Sequence, residues 1–230
     1  MSPAYLFAPA PQPSVAVQGQ SARFPVRRIY CVGRNYSDHA REMGYDPRSE
    51  VPFFFDKPAD ALVADGGIVP YPTGTANLHH EVELVLAIGA GGRDIVPEQA
   101  QTHILGYAVG IDMTRRDVQA AAKQAGKPWT MAKGFDYSAP VGAIALAADI
   151  GHPRQGRITL SVSGSVRQDA DIAEMTWSPD EIVAALSREI VLAPGDLIFT
   201  GTPAGVGPVA PGDTLEAEIA GIGRLAVSIG

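Results

Sequence analysis

The amino-acid sequence predicts a β-rich α+β fold, in which many short strands are joined by turns and accompanied by a few short helices. Gly and Pro number 25 and 19 among 230 residues and are spread along the chain, which favours frequent turns. A chain of this length can bury one substantial core. We expect residues 1–27, rich in Pro, Ala and Gln, to form a small β-rich arm, and residues 28–230 to form a single domain.

The elements of the first half follow from apolar patterns bounded by turn residues. Ile29–Val32 is an apolar run that ends at Gly33, which predicts a strand. Asn35–Met43 begins on a favourable N-cap and is followed by Gly44, which predicts a helix. Glu81–Ile88 is the clearest strand, because Val and Leu alternate along it with the two glutamates and small residues. A short helix is predicted at Pro97–Ile104 and a strand at Tyr107–Asp112.

The second half carries the strongest helix signal of the chain. Ser178 is a capping residue, Pro179 suits the first helical position and Glu181 completes a capping box, so a helix is predicted to about Glu189. A further helix is predicted at Arg115–Gln124. The remaining predicted strands are Ala143–Leu146, Arg157–Val162, Leu197–Thr200, Thr214–Ile219 and Gly223–Ser228.

Charge and hydropathy exclude several classes of partner. The net charge is −7 and the sequence has no run of Lys or Arg, which argues against a nucleic-acid-binding protein. No apolar stretch approaches the ~18 residues of a membrane span, and the N-terminus lacks the pattern of a signal peptide. We therefore expect a cytoplasmic protein. The single cysteine, Cys31, lies in an apolar run and is interpreted as a buried structural thiol.

Glu81 and Glu83 are candidate metal ligands. Their spacing on a strand directs both side chains to the same face, and Asp112 ends a second predicted strand. Three carboxylates without a cysteine or histidine cluster suit a hard cation such as Mg²⁺ or Mn²⁺. Zinc is less favoured, because His79 and His80 are adjacent and point to opposite faces. A solvated polar strand face explains the spacing equally well, and the pattern alone leaves both readings open.

His39 and Glu42 form a second candidate pair. On a helix they share one face, where the carboxylate could orient the imidazole as a general base. Spacing alone favours the alternative, an exposed helix of mixed charge. Lys57, Lys133 and Arg116 are candidate cations, whereas Lys123 and Lys127 are interpreted as solvated positions around a helix end. Thr200–Pro203 is a turn that could offer N–H groups and hydroxyls to an anion.

These motifs together resemble the fumarylacetoacetate hydrolase family. They occur in the order of that family over about residues 29–228, and the stretch Phe24–Gly33 is similar to the fumarylpyruvate hydrolases of bacterial gentisate degradation. The matching segments are Gly33–Tyr36 with His39 and Glu42, Phe54–Pro58, His79–Leu84, Gly110–Gln119, Lys133–Asp136 and Thr200–Pro203.

The resemblance implies a roll of mixed β-sheets over 28–230, a homodimer, and Mg²⁺ or Mn²⁺ (with Ca²⁺ as a substitute ion) on Glu81, Glu83 and Asp112. It assigns His39 and Glu42 to water activation on a lid, and Lys133 to catalysis. The substrate contacts that it implies are Arg34, Arg116, Gln119, Thr202 and Lys57.

The function implied by the resemblance is hydrolysis of a carbon–carbon bond in a 2,4-diketo acid, with fumarylpyruvate giving fumarate and pyruvate. The distal carboxylate of fumarylpyruvate needs a cation, for which Arg34, Arg41 and Arg48 are candidates. Acylpyruvate hydrolysis, oxaloacetate decarboxylation and keto–enol isomerisation are alternatives within the family. A metal-binding homologue without turnover is an alternative of another class, disfavoured because every expected polar residue is present.

Overall fold

A mixed β-sheet of eight strands forms the centre of the molecule. The computed structural model describes residues 4–36 and 51–230. The strands are β1 (Ser14–Ala16), β2 (Arg23–Pro25), β3 (Arg28–Gly33), β4 (Phe53–Lys57), β5 (Leu62–Ala64), β6 (Ile68–Val69), β7 (Leu78–His80), β8 (Val82–Ile88), β9 (Ile104–Ile111), β10 (Thr114–Arg115), β11 (Ala139–Val141), β12 (Ala145–Leu146), β13 (Arg157–Val162), β14 (Ser165–Asp171), β15 (Asp196–Phe199), β16 (Gly207–Pro208), β17 (Thr214–Ile219) and β18 (Gly223–Ile229).

Helical segments are short and lie between these strands. The α-helices are α1 (Arg116–Gln124), α2 (Thr130–Lys133), α3 (Ala147–Ile150) and α4 (Pro179–Glu189), and the 3-10 segments are Ala59–Ala61, Pro97–His103 and Ile172–Glu174. In the described ranges, no helix combines the length and the apolar character that a bilayer crossing requires.

The central sheet has the order β4-β3-β15-β8-β9-β11-β5, with β12 beside β9. The β3–β15 and β5–β11 pairs are parallel and the others are antiparallel. A second sheet of five strands has the order β14-β13-β17-β18-β6, and a small sheet joins β10, β7 and β16. The β-rich α+β fold of mixed sheets that the sequence predicts is confirmed.

The strand β8 is buried on both faces. Val82, Leu84 and Leu86 belong to the larger core, which also takes apolar side chains from the five-stranded sheet and from α4. Val85 and Ala87 belong to a smaller core with Cys31 and the first two strands. Glu83 lies in this strand and Glu81 directly precedes it, and both are buried. The alternative of a solvent-exposed polar strand face therefore does not hold. Cys31 is buried, as predicted, and burial raises the pKa of its thiol.

Residues near the N-terminus form an antiparallel pair, β1 with β2, in which Ser14 lies opposite Pro25. Val15 and Phe24 on this pair are buried in the smaller core, so the hairpin packs onto the sheet. The division into an arm at 1–27 and a domain at 28–230 stays a prediction.

Several predicted elements coincide with the structure, and several strands were not predicted. Strands β13 and β17 match the predicted ranges residue for residue, whereas the predicted helix at Pro97–Ile104 is a 3-10 segment ending at His103. Strand β14 was missed because its outward residues are mostly polar and it forms an edge of its sheet. The predicted helix Asn35–Met43 lies outside the described residues from residue 37 onward.

Helix α4 begins as its sequence predicts. Glu181 N donates to Ser178 Oγ, and the Glu181 carboxylate accepts hydrogen bonds from the Ser178 backbone N (2.8 Å) and Oγ (2.9 Å). The buried face of the helix includes Ile182, Val183 and Leu186. The capping box therefore fixes where this helix starts against the larger core.

Replacing Ser178 by Ala should lower the free energy of unfolding by about 1 kcal/mol, because the Glu181 backbone N–H loses its acceptor and the Glu181 carboxylate loses the hydroxyl donor. Urea unfolding followed by circular dichroism measures the change. Ser165→Ala, at an exposed residue of β14, is the control and should change stability by no more than about 0.5 kcal/mol. Equal stabilities of the two variants would contradict the role of the cap.

Candidate metal centre and active site

Three carboxylates meet where β8 and β9 lie side by side. Glu81 immediately precedes β8, Glu83 is its second residue and lies opposite Gly110, and Asp112 immediately follows β9. The Asp112 N–H donates to the Glu81 carbonyl oxygen at 2.8 Å, which extends the pairing beyond both strands. One carboxylate oxygen from each residue lies within 4.8 Å of the other two. The sequence prediction that these three side chains lie together is thus fulfilled in the geometry.

The three carboxylates are buried, with 7%, 1% and 0% of Glu81, Glu83 and Asp112 exposed. Burial disfavours the charged form of a carboxylate, and neighbouring negative charges disfavour it further. Such a cluster therefore requires nearby positive charge, which the chain supplies from three separate places.

Lys133, the last residue of α2, supplies the most central positive charge. Its ammonium donates to Glu81 Oε2 at 2.7 Å, to Asp112 Oδ2 at 2.6 Å and to Thr114 Oγ1 at 2.7 Å. These three bonds engage all three N–H groups of the ammonium. Burial would lower the pKa of Lys133, but the carboxylates of Asp112 and Glu81 outweigh burial and raise it. Lys133 is therefore a charged group that orients two carboxylates.

Lys57, at the end of β4, lies behind Asp112 rather than along the cleft. Its ammonium is 2.8 Å from Asp112 Oδ1 and donates to the carbonyl oxygens of Met113 (3.1 Å) and Lys133. Apart from this ion pair, Asp112 Oδ1 has no hydrogen-bond partner among the residues that the structure describes. The structure thus places Lys57 as a support for Asp112, and its predicted contact with substrate stays a prediction.

Arg116, the first residue of α1, pairs with Glu81. Its guanidinium donates to Glu81 Oε1 and, at 2.7 Å, to Gln119 Oε1. Burial opposes ionisation of Glu81, but the charges of Lys133 and Arg116 prevail and lower its pKa to about 2. Glu81 is therefore a carboxylate held ionised by two cations.

Glu83 has a different environment. Its Oε2 accepts a hydrogen bond from the Gly201 N–H at 2.6 Å, and burial together with Asp112 and Glu81 raises its pKa well above the usual range. Gly201 has φ of +95°, and a Cβ there would lie 2.7 Å from the Asn35 Cβ. Only glycine fits this approach of the loop to Glu83.

The residues present fit a hard divalent cation. One oxygen from each of the three carboxylates lies within 4.8 Å of the other two, and buried Asp112 Oδ1 accepts no hydrogen bond from the described residues, its ion-pair neighbour being the Lys57 ammonium at 2.8 Å. Oxygen donors of this kind suit Mg²⁺ and Mn²⁺. His79 is engaged with Asn77 and Arg116, and burial and the Arg116 charge lower its pKa to about 4. Of the described residues, only carboxylates form a group suited to a metal.

A cleft opens over the carboxylates and collects most of the predicted site residues. Its lining includes Glu81, Glu83, Asp112, Arg34, Arg116, Gln119, Lys133 and Thr202. Lys57 is not part of this lining, and His39, Glu42, Arg41 and Arg48 lie outside the described residues. The geometry therefore brings together a carboxylate floor and a rim of cations and hydroxyls.

Lys123 and Trp129 are among the lining residues that the sequence does not identify as part of the site. Lys123 was interpreted as a solvated position, yet it lines the cleft with its Nζ 4.9 Å from the centroid of the Trp129 ring. Trp129 also packs edge-on against Phe53, with ring centroids 5.2 Å apart. Lys123 falls on the exposed side of α1, so helical periodicity could not distinguish a cleft rim from open solvent.

Comparison with known families adds to this geometry. Residues 28–229 match the family model described as fumarylacetoacetate (FAA) hydrolase C-terminal. The chain belongs to the fumarylacetoacetate hydrolase family. The resemblance drawn from the sequence motifs is confirmed.

Relatives within the fumarylacetoacetate hydrolase family carry out several reactions. The chain is 52% identical to a crystal structure of fumarylpyruvate hydrolase from Pseudomonas aeruginosa in complex with Mn²⁺ and pyruvate, with a TM-score of 0.95 over 98% of this chain and 99% of that one. It is 44% identical over 196 residues to the mitochondrial oxaloacetate tautomerase FAHD1 of Mus musculus, over 85% of this chain and 88% of that protein.

The 2-hydroxyhepta-2,4-diene-1,7-dioate isomerase from Mycobacterium marinum is 36% identical, with a TM-score of 0.78 over 90% of this chain and 76% of that one. The chain is an enzyme of this family, whose relatives include a hydrolase, a tautomerase and an isomerase.

Replacing Lys133 by Met should lower the free energy of unfolding by ~3–5 kcal/mol in the presence of EDTA, because two buried carboxylates lose their shared cation. Saturating Mn²⁺ should restore much of this loss, since a bound cation stabilises the folded state. Urea unfolding with EDTA and with Mn²⁺ measures both effects. Lys127→Met, at an exposed lysine, is the control. A variant at Lys133 as stable as wild type in EDTA would contradict this assignment.

The affinity for Mn²⁺ should fall as pH is lowered from 8 towards 5.5. The pKa of Glu83 is raised, so its proton competes with the cation at a higher pH than that of an ordinary glutamate. Isothermal titration at several pH values, in buffers of different ionisation enthalpy, measures the affinity and the protons released. A constant affinity with no proton release over this range would contradict the raised pKa of Glu83.

Proposed function

We propose that this enzyme hydrolyses a carbon–carbon bond in a 2,4-diketo acid, and that fumarylpyruvate is converted to fumarate and pyruvate. The observation that carries the proposal is the likeness, over nearly the whole of both chains, to a fumarylpyruvate hydrolase solved with Mn²⁺ and pyruvate. Pyruvate is a product of the proposed reaction. The carboxylates of Glu81, Glu83 and Asp112 suit the metal found in that relative.

The chain's own residues would hold and orient the keto acid. When bound to the three carboxylates, Mg²⁺ or Mn²⁺ supplies a Lewis acid that stabilises negative charge on the oxygens of the keto acid. Thr202 lines the cleft, and its hydroxyl is proposed to donate a hydrogen bond to the substrate carboxylate. Arg116 and Gln119, joined by a hydrogen bond of 2.7 Å, are proposed to position the remainder of the substrate from one wall.

Lys133 serves the reaction by holding charge in place. The carboxylates of Asp112 and Glu81 raise its pKa, which favours the charged ammonium. Its bonds to Glu81 and Asp112 hold both carboxylates beside Glu83, where one oxygen of each residue lies within 4.8 Å of the other two. Groups held in place by such bonds are suited to electrostatic stabilisation of developing charge.

Water activation is proposed to belong to His39, oriented by Glu42, both outside the described residues. His39 would take a proton from water, and the hydroxide would add to the C4 carbonyl carbon of the substrate. The C3–C4 bond then breaks, its electron pair stays with C3, and C3 takes up a proton to give pyruvate. The carbon that received the hydroxide leaves as the carboxylic acid group of fumarate.

The same resemblance supports further parts of the proposal. These are a cytoplasmic homodimer, a role in the breakdown of gentisate or a related aromatic compound, and Arg34 as a cation for the distal carboxylate. Arg34 lines the cleft, whereas the other two arginines considered for that carboxylate lie outside the described residues.

Tautomerisation of oxaloacetate is a second candidate function, favoured by the 44% identity to a tautomerase of that keto acid. That reaction moves a proton between carbon and oxygen and breaks no carbon–carbon bond. It needs the carboxylates and the cleft but no activated water. The fumarylpyruvate proposal is preferred because identity and coverage are higher for the hydrolase.

A panel of fumarylpyruvate, acetylpyruvate and oxaloacetate, each assayed with Mn²⁺ and with EDTA, tests the proposal. We expect the highest kcat/KM for fumarylpyruvate and no turnover in EDTA. Equal turnover of acetylpyruvate would contradict recognition of the distal carboxylate. Tautomerisation of oxaloacetate without hydrolysis of either diketo acid would favour the second candidate.

Replacing His39 by Ala should lower kcat for fumarylpyruvate by about 100-fold or more, because positioned proton transfer typically contributes that much. The affinity for Mn²⁺ should stay at the wild-type value, since the carboxylates are untouched. His103→Ala, on a 3-10 segment away from the cleft lining, is the matched control. Full hydrolase activity in the His39 variant would remove the water-activating pair from the mechanism.

A further inference from the structure

Gln168 connects two parts of the cleft through one buried amide. It belongs to β14, is fully buried, and is followed and preceded by exposed residues. Its Oε1 lies 3.0 Å from both His80 Nδ1 and the Val82 backbone N. Its Nε2 lies 2.8 Å from Thr202 Oγ1 and 3.0 Å from the Pro203 carbonyl oxygen. All four hydrogen-bonding positions of the amide are therefore used.

The orientation of this amide follows from two partners that have only one role. The Val82 backbone N–H can only donate, so the atom facing it is the carbonyl oxygen of Gln168. The Pro203 carbonyl oxygen can only accept, so the atom facing it is the amide nitrogen. The orientation in turn fixes His80 with its proton on Nδ1, because Gln168 Oε1 accepts from it.

The same logic determines which way the Thr202 hydroxyl points. Gln168 Nε2 donates to Thr202 Oγ1, so the hydroxyl oxygen is the acceptor in that bond. Its own hydrogen is then available to donate elsewhere, and the hydrogen bonds of the described residues give it no acceptor. Thr202 lines the cleft, where an anionic group could accept that hydrogen.

The other end of the amide contacts the two residues that flank a carboxylate, one through its side chain and one through its backbone N–H. His80 and Val82 are the residues on either side of Glu81, and Gln168 binds both of them. Glu81 lies in the one-residue gap between β7, which belongs to the small sheet, and β8, which belongs to the central sheet. One side chain therefore links the backbone position of Glu81 to the loop that carries Thr202.

We propose that Gln168 is a positioning residue that fixes Thr202 as a hydrogen-bond donor toward a substrate carboxylate and holds the two residues beside Glu81, His80 by its imidazole and Val82 by its backbone N–H. This inference rests on the part of the proposed function that places Thr202 at the carboxylate of the keto acid. It does not depend on which bond of that acid is cleaved.

Two variants of Gln168 separate the two ends of the amide. Gln168→Met removes all four hydrogen bonds at similar volume. Gln168→Glu, studied at pH 8, keeps an oxygen for His80 and Val82 but, when ionised, donates nothing to Thr202. Thr202→Val removes the hydroxyl itself. Gln99→Met, at an exposed glutamine, is the control.

Titration calorimetry of the Mn²⁺-loaded protein measures its affinity for pyruvate, which reports on Thr202. Electron paramagnetic resonance of free Mn²⁺ measures the affinity for the metal, which reports on Glu81. We expect Gln168→Met to weaken Mn²⁺ by about 10-fold, as for residues that orient metal ligands. We expect each variant of Gln168, and Thr202→Val, to weaken pyruvate by about 10- to 100-fold, typical of a lost hydrogen bond to a charged group. Gln168→Glu and Thr202→Val should keep Mn²⁺ affinity within a few-fold of wild type.

A double variant, Gln168→Glu with Thr202→Val, distinguishes positioning from general destabilisation. If Gln168 acts through Thr202, pyruvate should bind the double variant as it binds Thr202→Val alone. The proposal would be overturned if the fold-losses of pyruvate affinity in the two single variants multiplied in the double variant. Wild-type pyruvate affinity in both variants of Gln168 would overturn it as well. If Gln168→Met does not fold, the isosteric Gln168→Glu still decides the outcome.

Failure of the inference and failure of the proposed function give different results. Wild-type protein that binds pyruvate but does not turn over fumarylpyruvate would overturn the reaction and leave Gln168 to be judged by the variants. Wild-type protein that binds Mn²⁺ but no pyruvate at millimolar concentration would overturn the role of Thr202, and with it this inference.

Discussion

The ion pairs between the Lys133 ammonium and two buried carboxylates are the interaction on which the site depends. Glu81 and Asp112 could not both stay charged in an apolar setting without a shared cation, since desolvation and mutual repulsion each favour their neutral forms. Arg116 and Lys57 complete the compensation from either side. Glu83 has no such ion pair among the described residues, and burial together with its two acidic neighbours raises its pKa. A divalent cation would supply the positive charge that favours the ionised form of Glu83. The cluster thus combines two carboxylates held by the chain's own cations with a third that a divalent cation would compensate.

The apolar sheet makes this organisation rigid. The pairing of β8 with β9 sets Glu83 against Gly110 and brings Asp112 beside Glu81, and both strands are packed on each face by apolar side chains. The cations come from α1, α2 and β4, and the loop after β15 brings Gly201 to Glu83. A site held on strands and short helices, with neighbours that fix each carboxylate, keeps its geometry better than one carried by loops alone.

Parts of this arrangement are readable in the sequence because they are local. The capping box at Ser178 and the alternation along Arg157–Val162 each depend on residues a few positions apart, and both predictions are confirmed. The pairing of Glu81 with Glu83 follows from the period of a strand, but their burial does not. The three bonds of Lys133, the support of Asp112 by Lys57 and the four bonds of Gln168 join residues from 19 to 88 positions apart. Neither periodicity nor composition records such contacts: the sequence marks Lys57 and Lys133 as candidate cations but does not show which atoms they contact, and Gln168 is not among the predicted site residues.

The most direct measurement of the central claim is a crystal structure of the protein with Mn²⁺ and pyruvate, with anomalous diffraction used to locate the metal. One anomalous peak is predicted between Glu81, Glu83 and Asp112, about 2.0–2.2 Å from one oxygen of each, with Lys133 retaining a bond to at least one of them. A single well-occupied peak elsewhere, or coordination that omits two of the three carboxylates, would contradict the account.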